Sequence, residues 1–333
     1  MIDVNCLIPS HLIWEARKRI YQVVQRTPLI KSHYLSSLVN GNVYLKLENT
    51  HPISAFKIRG AANKILGLPF DEQQKGVTTF STGNHGLAVA YIAKQLGMKA
   101  VICMSPRVPK AKIDRINELG AKIEIYGKSQ DDAKVRCEQL RDEEGLTIIP
   151  PFDDKAIICG QATIGTELIE DLPTIDTAIV PLSGGGLLAG IGLALKSYNN
   201  AIDIVGTSME RGAVMHESLK AGKPIELEEE ETLADSLLGG IGLSNQYTFP
   251  LVRAMIDQTE LVSEEAILNA MGLLIDKHRL IVEGAAATGV AALLKEKQKY
   301  EKKNVVIIIS GSNVDITVVY DVMKAYLNQN RMV

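Results

Sequence analysis

Residues 76–104 read GVTTFSTGNHGLAVAYIAKQLGMKAVICM, and this stretch decides the fold. Gly76–Ser81 is a short run with β-branched residues and reads as a strand. Asn84–Leu96 has helical spacing, with Leu87, Ala90, Tyr91 and Ala93 on its inward face. Ala100–Met104 is apolar and strand-like again. Strand, helix and strand in this rhythm predict a parallel sheet covered by helices.

The rhythm continues outward. Pro109–Leu119 predicts a helix opened by a proline, where the missing N–H costs nothing. Lys122–Tyr126 and Asp131–Glu144 repeat the unit. Further on, Thr177–Leu182, Ile204–Ser208 and Val305–Ile309 are β-branched runs suited to strands buried on both faces. The fold class is α/β, with two open parallel-sheet units. Ile149-Pro150-Pro151 is a natural crossing point. It divides a small, mobile domain at 76–150 from a large domain made of 1–75 and 151–333.

The composition narrows the function. The chain has 333 residues, 46% hydrophobic and 23% charged, with a formal net charge of −3. Such a balance gives no reason to expect nucleic acid or an anionic membrane as partner. No apolar run approaches the length of a bilayer span. Charged residues interrupt the start, which does not read as a signal peptide. Cys6, Cys103, Cys137 and Cys159 are scattered, so they read as reduced core thiols of a cytoplasmic protein.

Three polar segments fall at the carboxyl ends of predicted strands, where ligands bind in open parallel sheets. Ser183-Gly184-Gly185-Gly186-Leu187 joins a strand to a helix, and its backbone N–H groups suit a phosphate. Gly184, Gly186 and Ala189 also fit the spacing of a dinucleotide loop, which keeps an oxidoreductase reading open. Ser81-Thr82-Gly83-Asn84-His85-Gly86 is a second cradle, suited to a carboxylate; Asn84 alone reads equally as a helix N-cap. Ser310-Gly311-Ser312-Asn313 follows the last strand and can offer one hydroxyl to a ligand. The acidic run Glu228–Glu231 reads as a solvated loop.

Ser54-Ala55-Phe56-Lys57-Ile58-Arg59-Gly60-Ala61 gives these loops a common purpose. Alone, Lys57 is an ordinary lysine at a helix start. Lysine amines also form Schiff bases with pyridoxal phosphate, a cofactor that needs a phosphate cradle and a partner for its ring nitrogen.

In the order Tyr44-Leu45-Lys46-Leu47-Glu48-Asn49, Ala-Phe-Lys-Ile-Arg-Gly, Ser-Thr-Gly-Asn-His, triple glycine and Ser-Gly-Ser-Asn-Val-Asp, the chain resembles the fold-type II pyridoxal-phosphate enzymes. The threonine/serine dehydratase and serine racemase branch is the most similar, and the resemblance runs from about Ile20 to about Asp315. It implies a tryptophan synthase β-like architecture, an active site in the cleft between two domains, and a homodimer. It implies that Lys57 holds pyridoxal 5'-phosphate and removes the Cα proton, with Phe56 packed near the ring. Asn84 would hydrogen-bond the ring hydroxyl, and Ser310 the ring nitrogen. Ser183, Gly184, Gly185, Gly186 and Leu187 would cradle the phosphate. Ser81, Thr82, Gly83 and His85 would bind the carboxylate of an amino-acid substrate, with Glu283 lining the site. A neutral hydroxyl at the ring nitrogen weakens the electron sink, which favours β-elimination over transamination.

The departures refine the expectation. Ser208 stands where racemase relatives place a metal-binding glutamate, so we expect no metal there. Thr82 occupies the position of a racemase serine and keeps a hydroxyl, which leaves racemisation as the alternative. Ala55 replaces a usual serine. Ser208–Gly212 and Leu233–Gly242 most resemble dehydratases of hydroxyectoine utilisation, which implies a hydroxylated diaminobutyrate-type substrate. The chain's end soon after residue 315 leads us to expect no regulatory domain.

Overall fold

The computed structural model describes residues 7–81, 83–105, 110–127 and 130–330. Thr82, Pro109 and Cys6 lie outside the described residues.

Among the described residues ten strands form two sheets: β1 Leu29–Lys31, β2 Asn42–Leu47, β3 Val77–Phe80, β4 Ala100–Met104, β5 Lys122–Ile125, β6 Thr147–Ile148, β7 Thr177–Pro181, β8 Asp203–Met209, β9 Gln258–Val262 and β10 Asn304–Ile309. The six-stranded sheet has the order β1-β2-β10-β7-β8-β9, and the four-stranded sheet β5-β4-β3-β6. The β3, β4, β5, β7, β8 and β10 expectations are met within a residue or two at each end. One refinement is needed: β1 runs antiparallel to β2, whereas the remaining described pairs are parallel. An antiparallel neighbour needs no crossover to the far end of the sheet, and the short helix His33–Val39 joins β1 to β2.

Period-two burial explains why both faces of the large sheet are covered. Along β10, Val306 and Ile308 enter the core beneath helices Lys155–Asp171 and Gly186–Tyr198. Val305, Ile307 and Ile309 enter the opposite core, under helices Glu264–His278 and Gly284–Lys295. The small sheet alternates likewise: Ile102 and Met104 face one cluster, Val101 and Cys103 the other.

Helix Lys57–Leu66 lies between the sheets, packed on helix Asn84–Gln95 on one side and Lys155–Asp171 on the other. Ile58, Ala61, Ala62 and Ile65 join Leu87, Val89 and Ile92 in one cluster. This placement puts the amino end of that helix where the loops after β3, β7 and β10 converge. No described helix is long and apolar enough to cross a membrane.

Candidate active site

Lys57 is the first residue of its helix, and its Nζ donates to the carbonyl of Pro151 at 2.7 Å. Burial lowers the ammonium pKa to about 8, opposed in part by the negative charge of Glu283. The amine is therefore far closer to its nucleophilic form at neutral pH than an ordinary lysine. Phe56 places its ring 5.3 Å below Nζ. The N–H of Phe56 donates to the carbonyl of Ser310 at 3.0 Å, and the N–H of Ser312 to that of Ser54 at 2.9 Å. The lysine segment is thus stitched to the loop after β10. Ser310 is buried, directly beyond the strand's carboxyl end.

The loop after β3 brings Ser81, Asn84 and His85 to the same place, all three buried. Ser81 Oγ accepts from the N–H of Gly83 at 3.2 Å. The N-cap of helix Asn84–Gln95 is Gly83, with no side chain capping it, so Asn84 is not the cap. Its Nδ2 lies 3.1 Å from both carboxylate oxygens of Glu283, itself buried. His85 Nε2 lies 2.9 Å from the carbonyl of Ile149. A carbonyl only accepts, so Nε2 carries the hydrogen and Nδ1, which has no partner, is the acceptor. Burial first, and the nearby Lys57 second, push the imidazole pKa down to about 3. His85 is neutral at any ordinary pH.

The glycine loop after β7 has the geometry of an anion cradle. Gly185 is the N-cap of helix Gly186–Tyr198 at φ +85°, a region that disfavours a Cβ, and no side chain caps the helix. Its amino end is open to an external anion. A Cβ on Gly184 would come 2.4 Å from the Phe152 ring, so this position also requires glycine. Ser183 is half-buried and Leu187 buried. Ala189 is buried in the core, and the dinucleotide-like spacing reflects helix packing here.

The segment 150–154 was missing from the sequence-based site. Besides the Pro151 carbonyl, it supplies Phe152 against the glycine loop. Asp153 accepts from the N–H groups of Gln246, Tyr247 and Thr248 at 2.8 Å each, and Asp154 caps helix Lys155–Asp171. Two adjacent aspartates before a helical stretch were the only signal. Ser208 is buried with its hydroxyl toward Met209 Sδ, and Glu210 is exposed beyond the strand. Among the described residues no His, Cys, Asp or Glu cluster could hold a metal.

Residues 20–311 match the family described as pyridoxal-phosphate dependent enzyme. A putative threonine dehydratase of Sinorhizobium fredii is 46% identical over 91% of this chain and 92% of its own length. A catabolic L-threonine dehydratase of Staphylococcus aureus is 42% identical over 95% and 92%. Among solved structures, maize serine racemase superposes with a TM-score of 0.90 at 35% identity, covering 98% of this chain and 99% of that one. The processed form of threonine deaminase isoform 2 from Solanum lycopersicum gives 0.88 at 34%, covering 95% and 88%. The uncapped glycine cradle and the low-pKa amine fit a phosphate-bearing aldehyde.

Proposed function

The chain belongs to the family of pyridoxal-phosphate dependent enzymes, as a fold-type II member of the threonine dehydratase-like branch, and we propose that it removes water and then ammonia from a β-hydroxy amino acid. Lys57 would carry pyridoxal 5'-phosphate, with Phe56 near its ring. Ser183, Gly184, Gly185, Gly186 and Leu187 would hold its phosphate, Asn84 its ring oxygen and Ser310 its ring nitrogen. When bound, the cofactor supplies an electron sink for the Cα–H bond being broken.

The chain's own residues do the rest. Ser81, Thr82, Gly83 and the backbone of His85 hold the substrate carboxylate at the start of helix Asn84–Gln95, where the dipole favours an anion. Lys57 Nζ would take the Cα proton. The hydroxyl would leave Cβ as water, taking up one proton to replace the one that Lys57 removed from Cα, so that the net loss is one molecule of water. The released enamine then takes up water and loses ammonia to give a 2-oxo acid. Glu283 neutralises positive charge beside Lys57. The observation that carries this reading is the depressed lysine pKa beside a buried serine, not a carboxylate, at the end of β10.

For the substrate, we propose a hydroxylated diaminobutyrate of the hydroxyectoine type, resting on Ser208–Gly212 and Leu233–Gly242, with threonine and serine as the general alternatives. We also propose a cytoplasmic homodimer in which residues 76–150 move against 1–75 and 151–333. The test is release of 2-oxo acid and ammonia by the loaded enzyme from L-threonine, L-serine, their D-forms and the diaminobutyrate derivative, with Lys57→Ala as control. Release confined to the derivative supports the narrower substrate. Interconversion of enantiomers without release overturns elimination in favour of racemisation. Sedimentation of the holoenzyme tests the dimer.

A further inference from the structure

Asn84 sits in a chain of four polar side chains that begins on a group able only to donate and ends on one able only to accept. Arg115, on helix Lys110–Glu118, donates through Nη1 to Asn313 Oδ1. Asn313 Nδ2 donates to Asn84 Oδ1 at 2.6 Å and to the carbonyl of Ile53 at 2.8 Å. Asn84 Nδ2 then faces the Glu283 carboxylate.

An amide can be turned over without changing its shape, so its orientation has to be dictated by its partners. Here the partners agree. A guanidinium has no acceptor, so it requires the oxygen of Asn313. The Ile53 carbonyl has no donor, so it requires the nitrogen of Asn313. That nitrogen requires the oxygen of Asn84, and an ionised Glu283 requires the nitrogen of Asn84.

The last link leaves a donor over. Asn84 Nδ2 is equidistant from the two oxygens of Glu283. Those oxygens subtend a much smaller angle at the nitrogen than its two N–H bonds do. One N–H therefore points between the oxygens, and the other is directed away from them.

We propose that Asn313 and Arg115 are positioning residues for the cofactor, locking the Asn84 amide so that it offers an N–H, and not an oxygen, to the cofactor's ring oxygen. The inference rests on Asn84 being a cofactor contact. Arg115 belongs to the small-sheet side and Asn313 to the loop after β10, so the orientation of Asn84 depends on the two sides being in register.

The test is the absorption spectrum of the holoenzyme, because a donor at the ring oxygen favours its ionised form and hence the long-wavelength band. Asn84→Ala is the reference and should lower the ratio of long- to short-wavelength absorbance. Asn313→Asp keeps the shape and the Arg115 contact but faces Asn84 with a second acceptor, so residue 313 and Glu283 compete for the amide nitrogen and its orientation is no longer fixed. It should lower the ratio in the same direction and weaken cofactor binding about tenfold, the loss of one hydrogen bond. Arg115→Met should give a smaller change, since Ile53 still holds Asn313. Circular dichroism and urea midpoints confirm that each variant is folded. If Asn84→Ala shifts the band while Asn313→Asp has the parental spectrum and affinity, the positioning role is overturned and the Asn84 contact stands. If Asn84→Ala itself leaves the spectrum unchanged, the cofactor contact fails and the inference fails with it.

Discussion

Lys57 and His85 are anchored two residues apart on one strap: Lys57 Nζ donates to the carbonyl of Pro151 and His85 Nε2 to that of Ile149. The strap is the crossing between the two sheets, so a single short segment sets the spacing of amine and imidazole. Their charges are also linked. The lysine helps to hold the imidazole neutral, and a neutral imidazole adds no repulsion to the lysine.

The first prediction concerns cofactor capture. Only the neutral amine attacks an aldehyde, and Lys57 deprotonates with a midpoint of about 8. Addition of pyridoxal phosphate to the apoprotein should accelerate about tenfold per pH unit below that midpoint and level off above it. Stopped-flow absorbance measures the rate. A rise that continues to the ordinary lysine range, near pH 10.4, would show that the amine is not desolvated.

The same shift makes Lys57 a cost to the apoprotein. Its folded pKa is lowered, so the unfolded chain binds the proton more tightly and stability rises with pH between the folded and unfolded values. Below about pH 8 the lysine is charged in both states and the full penalty of burying it applies. Lys57→Met should therefore raise the apo melting temperature by a few degrees at neutral pH. The gain should shrink as the pH is raised toward the unfolded lysine value. Calorimetry at several pH values checks both parts, and an unchanged gap at high pH would contradict the electrostatic cause.

The glycine cradle gives a third prediction. Gly185→Ala places a methyl group at φ +85°, 2.8 Å from Met215 Cε and Val252 Cγ2, so the loop has to shift. Cofactor affinity should fall by about tenfold or more, while the apoprotein loses only about 1–2 kcal/mol from the backbone penalty. Titration of the apo variant followed by fluorescence separates the two effects. Equal affinity for parent and variant would remove this loop from the phosphate site.

Much of this was legible in the chain because it is local. The strand–helix rhythm of 76–104, the β-branched runs of β7 and β10 and the triple glycine are contiguous patterns whose physics does not depend on distant partners. The partners themselves were not legible. Nothing near Lys57 announces the Pro151 carbonyl, 94 positions away, and nothing near Asn84 announces Glu283, 199 positions away. Asn313 stood in a loop already singled out, yet its bond to Asn84 appears only once the loops that follow β3 and β10, in different sheets, meet. The N-cap reading of Asn84 also needed coordinates, because Gly83 takes that position.

Arg59, two residues after Lys57, leads to the last prediction. It is fully buried and makes paired contacts with two carboxylates: Nε and Nη2 with Glu48 at 2.7 and 2.9 Å, Nη1 and Nη2 with Glu167 at 2.7 and 2.9 Å. Buried Lys46 lies 2.6 Å from Glu167 and 3.9 Å from Asp171 at the rim, and His51 lies 3.1 Å from Glu48, so Arg59 sits in a network of opposite charges. Burial alone would raise the Glu48 pKa, but Arg59 and His51 hold it well below the usual carboxylate range. Glu48 thus contributes stability above the ordinary carboxylate pKa, and that contribution is lost as pH falls through the depressed folded value. Glu48→Gln leaves Arg59 buried with one carboxylate to share with Lys46 and should cost about 3–5 kcal/mol, seen as a lower urea midpoint at unchanged m-value. The double variant Arg59→Met with Glu48→Leu removes one cation and one anion together, keeps Lys46 paired with Glu167, and should recover most of the loss. If the double variant is as unstable as the single, the cluster acts through specific hydrogen bonds and not through charge balance.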